Sequence, residues 1–148
     1  MCQIRRVNRQ WIDWLWAQVR GGTGPFLQGP GATFRGFTDF INQADFIIIG
    51  DGFALTFDPT GDPAYMRAHG FIYSLRPIRN KRLIKEAFAH AMKHLELRRI
   101  DITFPYQARQ LHAILKEAGF THEGALRKYF DWNGHIYDAA IYSLTTEE

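Results

Sequence analysis

Residues 80–95 constrain this chain more than any other stretch. Leu83, Ile84, Ala87, Phe88, Ala91, Met92 and Leu95 form one continuous apolar stripe at helical spacing. Basic residues fill much of the other side. Ile100, Ile102 and Phe104 then alternate with Asp101 and Thr103, the spacing of a strand. A half-apolar helix running into a half-apolar strand calls for helices layered on a sheet.

The other elements follow from the same two periodicities. Ile4–Val7 reads as a short strand, and Asn8 offers an N-cap to a helix carrying Trp11, Ile12, Leu15, Trp16 and Val19. Gly21–Gly22 stop that helix. The stretch 21–36 holds six glycines and two prolines and reads as a loop, without a Walker A or G-x-G-x-x-G pattern. Phe34, Phe37 and Ile41 predict a second short helix near 32–43. Asp45–Ile49, almost wholly apolar, reads as a buried strand. Phe53, Leu55 and Phe57 mark a half-buried strand, and Phe71, Tyr73 and Leu75 another before Pro77. DPTGDP at 58–63 is a turn. Leu111, Ile114, Leu115 and Ala118 predict a helix with Gly119 at its C-cap. A hairpin with arms 122–132 and 135–144 turns at Asn133–Gly134, and 145–148 reads as a frayed tail. The order β-α-α-β-β-β-α-β-α-β-β predicts one α/β (α+β) domain over 1–148, a central mixed sheet with helices on both faces.

Composition narrows the class. The 148 residues suit one domain, and 46% apolar residues can build its core. No apolar run exceeds four residues, so no spanning helix is expected and no membrane partner. The N-terminal residues show no secretory h-region, and a single cysteine, Cys2, excludes an internal disulfide framework and a cysteine-based zinc site. A reducing, cytoplasmic location is expected. The net charge of +3 is unevenly spread: residues 76–99 carry eight Arg and Lys against two Glu. That segment reads equally as a solvated helix face or an anion-binding surface, nucleic acid included.

The residues from 76 to 144 resemble the GNAT superfamily of acetyl-coenzyme A-dependent N-acetyltransferases. They are most similar to the branch that acetylates ribosomal-protein N-termini and aminoglycoside-like amines. The resemblance rests on Ala118-Gly119-Phe120, Glu123-Gly124, Leu126-Arg127, Gly134, Asp138 and Tyr142-Ser143-Leu144, in that order. It implies the GNAT-like (acyl-CoA N-acyltransferase) fold. It also implies that the coenzyme A pyrophosphate is cradled by backbone N–H groups in an Arg/Gln-x-x-Gly-x-Gly/Ala loop opening a helix. Here the aligned stretch is Arg79-Asn80-Lys81-Arg82-Leu83-Ile84. Arg79 fits, but Arg82 and Ile84 replace the two small residues that let phosphate approach the backbone. Arg79, Lys81, Arg82 and Lys85 could hold phosphate by charge instead. The favoured expectation is that Arg82 fills the pyrophosphate seat itself, because Ile84 lies on the apolar stripe. An Asn-x-x-Ser common in relatives falls at Ala108 and Leu111, neither of which can hydrogen-bond through its side chain.

These departures point first to a non-catalytic GNAT-fold module with a protein partner or assembly, such as a phage virion or its assembly intermediates. The location would then be host cytoplasm or virion, and no cofactor is expected. The alternative is a working N-acetyltransferase that takes acetyl-CoA, with Tyr73, Ser74 and Tyr106 as candidates to polarise the acyl carbonyl or protonate the leaving thiolate. A basic nucleic-acid-binding protein is the third reading. His90 and His94 have metal-ligand spacing without a third ligand, and read as the solvent edge of the stripe. Cys2 has no neighbouring histidine in sequence, Glu123 and Asp138 read as hairpin-shaping residues, and Trp11, Trp14 and Trp16 as core cover.

Overall fold

A computed structural model describes residues 3–19, 34–132 and 135–146. In chain order the elements are β1 (Ile4–Arg6), α1 (Arg9–Val19), α2 (Phe34–Ile41), β2 (Phe46–Ile49), β3 (Phe53–Pro59) and β4 (Tyr65–Ile72). There follow α3 (Arg76–Arg79), α4 (Arg82–His94), β5 (Arg99–Pro105), α5 (Arg109–Glu117), β6 (Thr121–Trp132) and β7 (His135–Thr145). The strands form one sheet in the order β1-β2-β3-β4-β5-β7-β6. The β4–β5 pair is parallel and the others are antiparallel, so the sheet is mixed.

Side chains alternate across a strand, which sorts the sheet into two faces. On one, Leu55, Phe57, Ala68, Ile100 and Tyr142 pack against Ile84, Ala87, Phe88 and Ala91 of α4 and Ile114 and Leu115 of α5. On the other, Ile47, Ala54 and Phe71 meet Ile12, Leu15 and Val19 of α1 and Phe37 and Ile41 of α2. Trp11, Trp14 and Trp16 border this second cluster. Two caps match their sequence signals. The Asn8 carboxamide oxygen accepts from the Trp11 amide at 3.1 Å, and Gly119 ends α5 at φ +95°.

Four readings shift. The third strand of the central run is Tyr65–Ile72, not a strand through Phe71, Tyr73 and Leu75. Arg67, His69 and Gly70 hide its alternation. Tyr73 lies past its end, where its amide donates to the Gly52 carbonyl at 2.9 Å. The helix expected from Asn80 is preceded by the short α3, and Asn80 leaves helical space at φ −127° and ψ 80° before α4 begins. The first two strands each shorten by one residue, to Ile4–Arg6 and Phe46–Ile49. The tail is tied down through 146: Thr145 pairs with Arg99, and the Thr146 amide donates to the Arg98 carbonyl at 3.1 Å. Cys2, Gly21–Gly22, the loop through 33 and the Asn133–Gly134 turn lie outside the described residues.

Gly52, in the turn between β2 and β3, is held at φ +86°. A Cβ there would lie 1.9 Å from Ser74 Oγ and 3.0 Å from Pro77 Cδ. Gly52→Ala is therefore expected to cost at least about 1–2 kcal/mol, from left-handed backbone strain plus displacement of Ser74. Urea unfolding would show a lower midpoint at an unchanged slope.

Candidate functional site

The one parallel pair creates the site. β4 and β5 pair only over Tyr65–Ala68 and Arg99–Ile102. Beyond that point β4 stays paired to β3 as far as Ile72, and β5 to β7 as far as Pro105. Each strand thus keeps one bonded edge and turns the other to a widening fork. The fork opens into a cleft of about 720 Å³, a volume suited to a small-molecule ligand. His69–Tyr73 and Ile102–Pro105 line it, with Ile84 and Phe88 of α4 and residues 107–111 at the start of α5. Unpaired strand edges present N–H and C=O groups that need partners. An extended arm containing amides is the ligand shape that supplies them. Gly70 adds no side chain to the cleft, and a Cβ on it would meet only Leu55 Cδ2, at 3.6 Å.

The residues singled out in the sequence do not all converge here. Tyr73 lines the cleft. Its hydroxyl donates to the Phe53 carbonyl at 3.3 Å, and its ring stands edge-on to Trp14 at 6.0 Å. Burial, reinforced by the negative charge of Asp51, raises its pKa above the usual 10.0. Ser74 is exposed, and its hydroxyl oxygen accepts from the Arg76 amide at 3.2 Å. Tyr106 is also exposed and lies outside the cleft lining, its ring 5.0 Å from His112. The positions aligned with the relatives' Asn and Ser, Ala108 and Leu111, do reach the cleft.

Within Arg79–Ile84, Ile84 is 3% exposed and lines the cleft. Leu83 and Lys81 are half-buried, and Arg79, Asn80 and Arg82 are exposed. Arg82, expected in the pyrophosphate seat, opens α4 from its solvent side. Lys81 caps α4 without a side-chain hydrogen bond. Arg79, Lys81, Arg82 and Lys85 place four basic residues around the start of α4, an arrangement that favours an anion by charge.

Two residues escaped the sequence reading. His69 Nε2 lies 2.9 Å from Asp58 Oδ2, and His69 lines the cleft. In the sequence Asp58 falls in the DPTGDP turn signal and His69 in no periodic run. Only the register that places β3 beside β4 brings them together.

Other candidates have structural partners. Asp138 Oδ1 accepts from the Lys128 amide at 2.9 Å, where Lys128 takes φ 54° in an irregular stretch of β6. Glu123 accepts from the Ser143 hydroxyl at 3.1 Å. His90 and His94 stack at 5.5 Å. Among the described residues no group of three His, Cys, Asp or Glu is placed to hold a metal ion. None of the described helices is long and apolar enough to cross a membrane.

A mixed seven-stranded sheet, forked between its parallel central strands and covered by helices on both faces, is the fold of the GNAT acetyltransferases. Solved structures bear this out across nearly the whole chain. A GNAT-family acetyltransferase from Bacillus anthracis superposes with a TM-score of 0.68 at 14% identity, covering 97% of this chain and 94% of that one. The spermidine N-acetyltransferase from Vibrio cholerae, solved with CoA and spermine, gives 0.72 at 15%, covering 97% and 95%. The ribosomal L7/L12 α-N-protein acetyltransferase, solved with coenzyme A, gives 0.71 at 14%, covering 97% and 93%. No family model matches the sequence, and no curated protein does. At these identities the likeness is one of fold.

Proposed function

We propose that this chain is an N-acyltransferase that takes its acyl group from acetyl-CoA and passes it to an amine. The observation that carries this reading is the open fork between β4 and β5, with two strand edges that find no strand partner among the described residues and a cleft of about 720 Å³. Acetyl-CoA would supply the activated thioester. The chain's part is to hold the pantetheine arm along β4, keep the phosphates by charge at α4, and position the amine. Similar folds solved with coenzyme A support this reading.

Thermal unfolding with and without millimolar acetyl-CoA, backed by calorimetry, tests it. Ligand at 100 times its dissociation constant should add about 2.7 kcal/mol, a rise in Tm of several degrees for a domain of this size. Arg82→Glu should weaken binding by about 1–3 kcal/mol, as for loss of a charge-assisted bond. Absence of any shift would favour the second reading, a non-catalytic GNAT-fold module with a protein partner. Arg82 and Ile84 at the two small-residue positions are the observation on that side.

A further inference from the structure

We propose that His69, oriented by Asp58, takes the proton that the acceptor amine must lose. This inference rests on the acyltransferase reading above. His69 is the first residue of β4 beyond the last β4–β5 pair, so it stands at the vertex of the fork. It lines the cleft. Its strand face is that of Phe71, the side covered by α1 and α2.

The ring is fixed from two directions. Asp58 Oδ2 lies 2.9 Å from Nε2, and Phe40 of α2 packs edge-on at 4.7 Å. An ionised carboxylate only accepts hydrogen bonds, so Nε2 carries the hydrogen and Nδ1 carries the lone pair. The side chains are 26% exposed for His69 and 15% for Asp58. Asp58 Oδ1 is buried without a hydrogen-bond partner among the described residues. A carboxylate at this distance holds the imidazole in one orientation. Other polar groups flank the pair. Thr56 is paired directly across from His69, and exposed Arg67 is paired across from Asp58. On the β5 side, Asp101 is already engaged by Arg99 at 2.7 Å and by the Tyr65 hydroxyl.

The step balances on one proton. An amine N–H passes its hydrogen to His69 Nδ1, and the nitrogen forms a bond to the acyl carbon. The carbon–sulfur bond breaks, and its electron pair leaves on sulfur. The imidazolium then returns the proton to the thiolate, which restores neutral His69. Asp58 is a positioning residue: it holds the tautomer and the ring orientation without touching the reacting atoms.

Long-range proton–nitrogen NMR on imidazole-labelled protein tests the pair with no ligand present. The His69 resonances, identified by their loss in His69→Gln, should report the Nε2–H tautomer. Asp58→Asn should erode that preference, and an Nδ1–H tautomer in the wild type overturns the proposal. Turnover is then measured with acetyl-CoA and a panel of methylamine, benzylamine and an alanyl peptide. His69→Gln should lower kcat about 10²–10⁴-fold while keeping the acetyl-CoA thermal shift of the wild type. Wild-type kcat in His69→Gln overturns the role of His69 and leaves the acyltransferase reading standing. A wild type that binds acetyl-CoA and turns over none of the amines overturns both.

Discussion

Phe57→Ala should cost about 3–5 kcal/mol of stability. Phe57 is 0% exposed in the middle of β3, paired with Phe46 on one side and Ala68 on the other. Its ring meets Phe88 of α4 edge-on at 6.3 Å, and Phe88 in turn meets Phe120 at 4.7 Å. These rings fasten α4 to the sheet. Alanine would remove the transfer energy of the ring and leave a cavity walled by strands that cannot close around it. For a chain of 148 residues, that corresponds to a fall in Tm of roughly 10 °C or more. Phe57→Leu keeps most of the volume and should recover the greater part of it. Calorimetry on the two variants decides this, and equal Tm values for Phe57→Ala and wild type would refute the packing argument.

Gly70→Leu should abolish the stabilisation by acetyl-CoA without harming the fold. Gly70 shares its strand face with Ala68 and Ile72, but it lies past the fork, where the cleft stands in place of a packed neighbour. Its Cβ direction is open apart from Leu55 Cδ2 at ordinary contact distance. An added isobutyl group would therefore project along the route proposed for the pantetheine arm. The apo variant should unfold within about 0.5 kcal/mol of wild type, as a substitution that strains nothing. The ligand increment of about 2.7 kcal/mol at 100-fold excess over the dissociation constant should vanish. A full increment in Gly70→Leu would place the ligand outside the fork.

Much of the fold was legible because each element repeats its chemistry at its own period. The stripe from Leu83 to Leu95, the alternation from Ile100 to Phe104, the cap at Asn8 and the glycine at 119 each carry a local signal, and each marks an element that formed. β4 is not legible because its polar residues hide that period: Arg67 and His69 sit on the face that Phe71 also occupies, and Gly70 has no side chain. The site was less legible. Ile84, Ala108 and Leu111 could be placed by counting along aligned positions, and all three reach the cleft. Tyr106 could not, because the chain beyond β5 carries it out beside His112 and His122.

The sequence by itself determined the order of the elements other than the short α3, most of their amphipathic faces and the loss of small residues at 82 and 84, since these are properties of neighbours along the chain. Only the tertiary structure decided where β4 and β5 part, that Arg82 stays exposed while Ile84 is buried, and that Asp58 meets His69. Those facts depend on strand register and on which edges remain unpaired. Residues eleven apart at 58 and 69 have no periodicity that links them. An antiparallel pairing does, by placing Arg67 opposite Asp58 and His69 opposite Thr56. Such a pairing is set by burial of both sheet faces at once, which no local stretch of sequence encodes.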